Sequence, residues 1–332
     1  MTTSIRRRHL LQGAGATAAA ILAAPAIVRA QEMLDSLKLL LGYPPGGSSD
    51  LVVRQLADKL AGLYARNTLV DNRPGAAGRI AIDALKGAPP DGRTLLLTPA
   101  STVTVYKDIY RNLSYNPFTD LMPVSLVSTF VHGLAVGPMV PAEVKTLAQF
   151  AAWAKANPDK ASCGNPGEGS FPHFMTLVMA KALGAPIQPV PYRGGAPALN
   201  DMMASQLAAL MLPDGSFLPF VKEGKIRVIA TSGEKASPFF PDVPSFAEQG
   251  IKELVVTEWY GVFAPPGTPA AIIDRAAQAV AKVVATKEIG EAFAKVGVVP
   301  RSNTPAALAA LIKSEAETWG PIIRSTGFKP LE

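Results

Sequence analysis

Several things that common functions need are scarce in this sequence. It holds one cysteine, Cys163, and three histidines, His9, His132 and His173. A single cysteine excludes an intramolecular disulfide framework and a multi-cysteine zinc site. His132, His173 and Cys163 are too few and too scattered along the chain to make a convincing metal centre. Charged residues make up 17%, below the ordinary share of about 25%. After residue 30 no run approaches the ~20 apolar residues that span a bilayer. Neither a Gly-x-Ser-x-Gly nucleophile elbow nor a Gly-x-x-x-x-Gly-Lys-Ser/Thr phosphate loop occurs. Cys163 and His173 are the one nucleophile–base pairing that suggests a hydrolase. Their separation carries no recognised geometry, and a lone small cysteine is usually packed. No catalytic residue, metal or cofactor is assigned.

The basic excess is also less than it looks. The formal charge is +6, yet Arg6, Arg7, Arg8 and Arg29 lie in the first thirty residues, which hold no acid, so the rest carries 6 − 4 = +2. A nucleic-acid binder needs a clustered basic stripe, and nucleic acid is not expected as a partner.

Residues 1–30 have the form of an export signal. Arg6-Arg7-Arg8 make the charged region, Leu10 to Val28 a mildly apolar, Ala-rich stretch, and Val28-Arg29-Ala30 a small-residue cleavage site. Arg7-Arg8-His9-Leu10-Leu11 fits a twin-arginine pattern. Pro25 and the cleavage site argue against a membrane anchor. Cleavage after Ala30 would leave a periplasmic protein of about 300 residues, a length that suits two lobes better than one.

In the remaining chain, strand and helix patterns alternate. Leu37 to Leu41 is a buried-strand run, and Val52, Leu56, Leu60 and Leu63 recur at helical spacing over Asp50 to Tyr64. Strands are predicted at 68–71, 94–97, 121–127, 131–136, 161–163, 187–190, 207–211 and 226–230. Helices are predicted at 80–86, 146–156, 172–183, 196–204, 217–221, 271–285 and 306–324. Such alternation predicts α/β architecture with mostly parallel sheets.

The segment Gly42-Tyr43-Pro44-Pro45-Gly46-Gly47-Ser48-Ser49-Asp50 follows a strand and opens a helix. Gly46 and Gly47 permit positive φ and close approach of a ligand. Ser48 or Ser49 fits an N-cap. The first amides of a helix lack internal partners and sit at its positive end, a ready site for a carboxylate. The same nine residues equally fit a tight connection that binds nothing. Asp50 either stabilises the first helical turn or receives a ligand ammonium group. The dipole contributes about 0.3–1 kcal/mol, up to ~2 when partly buried, whereas micromolar affinity needs about 8 kcal/mol. A second loop must therefore close on any such ligand.

This loop resembles the signature of the Bug-type solute receptors of tripartite tricarboxylate transporters. Six further blocks match that family in order: Asn72-Arg73-Pro74-Gly75-Ala76-Ala77-Gly78, Pro90-Asp91-Gly92-Arg93-Thr94-Leu95-Leu96, Val190-Pro191-Tyr192-Arg193-Gly194-Gly195-Ala196-Pro197-Ala198-Leu199, Pro241-Asp242-Val243-Pro244-Ser245, Trp259-Tyr260-Gly261 and Ala264-Pro265-Pro266-Gly267-Thr268-Pro269. The resemblance implies a two-lobed periplasmic-binding-protein fold of the type II class, a Venus flytrap in which each lobe is a mostly parallel sheet flanked by helices. It implies lobe 1 from residues 31–128 plus 257–332 and lobe 2 from 129–256, with crossings near Val127–Val131 and Val255–Trp259. It also implies a small carboxylated solute in the cleft, delivery to integral-membrane transporter subunits, and a monomer.

A facing loop, Cys163 to His173, looks like the family's Gly-x-Gly-Ser/Thr-x-x-His block. Ser170 is a candidate N-cap and ligand hydroxyl, and His173 either binds or packs to fix the loop. Candidate ligand residues are Tyr43, Gly46, Gly47, Ser48, Asp50, Ser101, Asn165, Gly169, Ser170, His173 and Asp214. Ser101 enters because its loop lies at the carboxyl end of a strand, where open α/β sheets hold ligands; a helix cap is the other reading. Where the family commonly carries acids, this chain has Ala208 and Leu212, with Asp214 two residues later. Loss of an acid from the cleft floor predicts a less amine-like or more apolar ligand. A receptor for an ABC importer and a receptor that signals to a membrane sensor are the rival readings.

Overall fold

The computed structural model describes residues 33–332; the leader and its cleavage site lie outside them. The strands are β1 (Leu34–Leu41), β2 (Ala65–Asn72), β3 (Thr94–Pro99), β4 (Met122–Val136), β5 (Ser162–Asn165), β6 (Gln188–Pro191), β7 (Ala209–Pro213), β8 (Arg227–Thr231), β9 (Thr257–Ala264) and β10 (Val299–Pro300). The helices of eight residues or more are α1 (Ser48–Leu60), α2 (Arg79–Lys86), α3 (Leu147–Ala156), α4 (Phe171–Leu183), α5 (Gly195–Met203), α6 (Ala270–Val284), α7 (Lys287–Ala294) and α8 (Pro305–Ser325). The expected α/β alternation is present over most of the chain, broken where β9 follows β8 with no α-helix between them and where α7 follows α6.

The apolar run of β1 is continuous because helices cover both faces of its sheet. Successive side chains of a strand point to opposite faces. Leu39 and Leu41 pack with Val52 and Leu56 of α1, while Leu40 packs with Ile82 and Leu85 of α2. The same holds further along: Met211 of β7 joins Phe174 and Met175 of α4, and Leu210 and Leu212 join Ala198 and Met202 of α5. α1 ends at Leu60, earlier than the helical spacing predicts, and Leu63 is exposed beyond it.

One sheet order runs β2-β1-β3-β9-β4-β7-β5-β6, with β8 and β10 also paired to β4. β1 is parallel to β2 and β3, and β5 is parallel to β6 and β7. Between these two parallel groups lie the antiparallel partners β4 and β9. The two strands expected at 121–127 and 131–136 are one. β4 pairs with β9 through Met122–Val131 and with β7 and β8 through His132–Val136. Register shifts between Pro123 and Ser125 and between Leu126 and Ser128 bend it rather than break it. β9 and α7 are not predicted from the sequence. β9 carries Glu258, Trp259 and Gly261 without the alternation that marks a half-buried strand, since nearly all of it is buried.

The parallel groups also pack on each other beside β4, where the turn after β7 lies against Gly133 and β10 pairs with Ser128 and Thr129. A Cβ placed on Gly215, just after β7, would lie 1.9 Å from the Cα of Gly297, just before β10. Backbone meets backbone there, so neither side can move aside as a flexible side chain would. Gly215→Ala is expected to cost about 1–3 kcal/mol, the usual penalty for overpacking. Gly290→Ala, inside α7 with open space around it, is expected to stabilise by about 0.5–1 kcal/mol. Urea denaturation of both variants checks the contrast, and equal stabilities would show that the Gly215–Gly297 contact is not fixed.

Candidate functional site

The loop from β1 to α1 is held from behind by Asp50. Its Oδ2 accepts from Gly46 N (3.0 Å) and Arg54 Nε (2.9 Å), and its Oδ1 accepts from Asn72 Nδ2 (2.9 Å). Burial opposes the charge on Asp50, but the hydrogen bonds from Arg54, Asn72 and Gly46 outweigh it and hold the carboxyl below its ordinary range. The side chain is spent on bracing the loop and is not among the residues that line the cavity described next. The N-cap of α1 is Gly47, with no side-chain cap bond, rather than Ser48 or Ser49. Ser48 Oγ instead lies 3.0 Å from the Tyr260 hydroxyl.

Gly46, Gly47, Ser48 and Ser49 open onto a cavity of about 320 Å³ between the two parallel groups. Tyr43, Ser101 and Ser170 line it too. Tyr43 and Tyr260 are phenols that burial keeps protonated well above their ordinary range. On the far side, Gly194, Gly195 and Ala196 at the start of α5 line the same space. A Cβ on Gly194 would lie 3.2 Å from the Pro44 ring, so the loops leading into the two helices pack together at the edge of the cavity. The second start carries the same signal as the first, paired glycines between a strand and a helix. In the sequence it stands only as part of a family block, and nothing local shows that it faces the first.

The facing loop from β5 to α4 is less of a clamp than expected. Ser170 is its N-cap, accepting from His173 N (3.4 Å), while its hydroxyl donates to Gly167 O (2.7 Å). Pro172 has no N–H to offer. Asn165, Gly169 and His173 are buried behind the cavity. Asn165 Oδ1 accepts from Gly167 N (3.2 Å), and Gly169 N donates to His173 Nδ1 (3.1 Å). Burial lowers the His173 pKa to about 4, so the ring is a neutral acceptor that fixes the turn. Gly169 has φ +76° and sits against Ile109, which leaves no room for a side chain.

Asp214 also lies off the cavity, fully buried, accepting from Ser237 Oγ. Leu212 does line it. The sequence reading missed His132 and Glu258, which line the cavity from β4 and β9. Glu258 Oε2 is 2.8 Å from His132 Nε2, in close contact but without a well-aligned N–H bond. No pattern of spacing pairs residues 126 positions apart; only the β4–β9 ladder does.

A sheet in two groups, joined through long central strands and closing on a cavity flanked by helix starts, is the build of a solute receptor. The chain matches the model of the tripartite tricarboxylate transporter family receptor over residues 52–328. It is 32% identical over 294 residues to the protein BugT of Bordetella pertussis strain Tohama I, covering 88% of this chain and 90% of that one. The structure of periplasmic binding protein BugD superposes with a TM-score of 0.84 at 27% identity, covering 90% of this chain and 99% of its own. An R. palustris protein with adipate superposes equally, with a TM-score of 0.84 at 26% identity and the same 90% and 99% coverage. The chain belongs to the tripartite tricarboxylate transporter receptor family and has the two-lobed periplasmic-binding-protein fold. The family and its structural neighbours are solute-binding proteins, not enzymes, and so is this chain. Among the described residues no helix is long and apolar enough to cross a membrane.

Burial pushes the Asp214 carboxyl up to about 6. Its unfolded value is about 3.9. Native stability from this group is complete below the unfolded value and is lost as pH rises through the folded one, by at most about 3 kcal/mol. Asp214→Asn keeps an oxygen for Ser237 and removes that slope. Urea denaturation from about pH 4 to about pH 7 is expected to show the variant gaining on the parent as pH rises; a constant difference would mean that Asp214 is not held protonated.

Proposed function

We propose that the protein is a periplasmic receptor that binds a small carboxylate in the cavity and delivers it to integral-membrane transporter subunits. The observation that carries this reading is the pair of glycine-opened helix starts, of α1 and α5, on opposite sides of one cavity. Each start leaves its first amides without internal partners, and each presents the positive end of a helix dipole. Together they suit one carboxylate held from both sides, or a carboxylate and its bridging water. The binding of adipate by the R. palustris relative supports the solute class.

Tyr43, Gly46, Gly47, Ser48, Ser101 and Ser170 are proposed as ligand residues, joined by Gly195 and Ala196. Lobe 1 comprises residues 31–128 and 257–332 and lobe 2 residues 129–256, with β4 and β9 as the crossings. Ligand in the cleft favours the closed arrangement of the lobes by contacting both. Residues 1–30 serve as the export signal, cleaved after Ala30.

A screen of mono-, di- and tricarboxylates by thermal shift tests the reading. A ligand at 100 times its Kd adds about 2.7 kcal/mol to stability. Gly47→Asp gives the sharper check. Gly47 has φ −80° and open space beside it, and aspartate is a favoured N-cap. The variant is expected to melt no lower than the parent while losing at least about tenfold in carboxylate affinity, a change of about 1.4 kcal/mol. Unchanged affinity would place the ligand elsewhere.

A further inference from the structure

The cavity carries an acid where a receptor for anions has least use for one. Glu258 lies on its wall with 4% of the residue exposed, and so does His132 with 1%. A carboxylate has about four acceptor positions. Those of Glu258 meet little inside the protein. Oε2 has the poorly aligned contact with His132 Nε2 at 2.8 Å, and Oε1 has Ser101 N at 3.5 Å, the outer limit of a hydrogen bond. Neither His132 ring nitrogen has a hydrogen-bond partner, and Glu258, with one misaligned contact and one bond at the limit of length, keeps acceptor capacity facing the cavity. The basic side chains on the lining are His132 and the exposed Lys295. The cavity wall thus sets one acid, Glu258, beside one imidazole.

We propose that Glu258 selects a solute whose carboxylate is held at the helix starts and whose other end is a hydrogen-bond donor, an amino group before a hydroxyl, and that it rejects a solute ending in a second carboxylate. This rests on the carboxylate reading above and sets its substrate class. It reverses the expectation drawn from Ala208 and Leu212. The acid absent from β7 has a counterpart on β9, and the replacement leaves Leu212 as an apolar wall beside it. A second ligand carboxylate at the floor would face Glu258 in a site with little water to screen the repulsion. An ammonium group there would supply the donors that Glu258 lacks and would lie among the rings of Phe130, Tyr43 and Tyr260, which favour cations.

Titration calorimetry on the mature chain tests this with two length-matched series. One is γ-aminobutyrate, γ-hydroxybutyrate, butyrate and succinate; the other is ε-aminocaproate, caproate and adipate. In the series that fits the cavity, the amino member is expected to bind at least about tenfold tighter than the dicarboxylate of the same length. Glu258→Gln is expected to shrink that gap below about threefold, weakening the amino acid and strengthening the dicarboxylate. Glu258→Ser, checked for folding by its melting curve, repeats the measurement should the glutamine variant not fold. A dicarboxylate that binds as tightly as its amino counterpart, or a gap that survives both substitutions, overturns the proposal and leaves the carboxylate reading standing. If no member of either series binds, and none of the wider carboxylate screen does, both fall together.

Discussion

An α-helix cannot satisfy the first amides of its own backbone, and the organisation of this protein follows from where two such starts are placed. At α1 and α5 the chain enters the helix through paired glycines, so no side chain covers the exposed N–H groups. The loops that lead into these helices touch where Gly194 packs against Pro44, and beside Gly46 and Gly47 the space is open. Neither start is capped by a side chain. A helix end left bare in a partly enclosed space calls for an acceptor, and two that face one space call for the same one.

The rest of the fold serves to hold these starts at the right separation. Asp50 fixes the first loop by tying Gly46 to Arg54 and Asn72. His173 and Asn165 do comparable work for the loop before α4, each bonding a backbone N–H of its own turn. The shared strands β4 and β9 join the two parallel groups, and beside β4 the backbones of Gly215 and Gly297 pack the groups together.

Much of this is legible in the sequence, and the failures have physical reasons. Amphipathic periodicity marks α1, α2 and α6 because each buries one face on the sheet. The Gly46-Gly47 loop stands out because a glycine pair at a strand-to-helix junction strips the helix start of side chains, a feature that suits a tight connection as well as an anion site. Asp50, Asn165, Gly169, His173 and Asp214 fall among the candidates because polar residues and glycines beside such loops are equally suited to bracing and to binding. Sequence neighbours do not reveal which way a side chain faces. β9 is missed because a strand buried on both faces shows no alternation. With it goes Glu258, and with Glu258 its pairing to His132, which depends on the register of two strands far apart in the chain.

The most direct test of the central claim is a crystal structure of the mature protein grown with the carboxylate that gives the largest thermal shift. The account predicts a carboxylate oxygen within hydrogen-bonding distance of the amides of Gly47 to Ser49, with the start of α5 closing over the other side, directly or through one water. A carboxylate bound outside that cavity, or held by Lys295 and solvent with the amides of α1 left unoccupied, would contradict it.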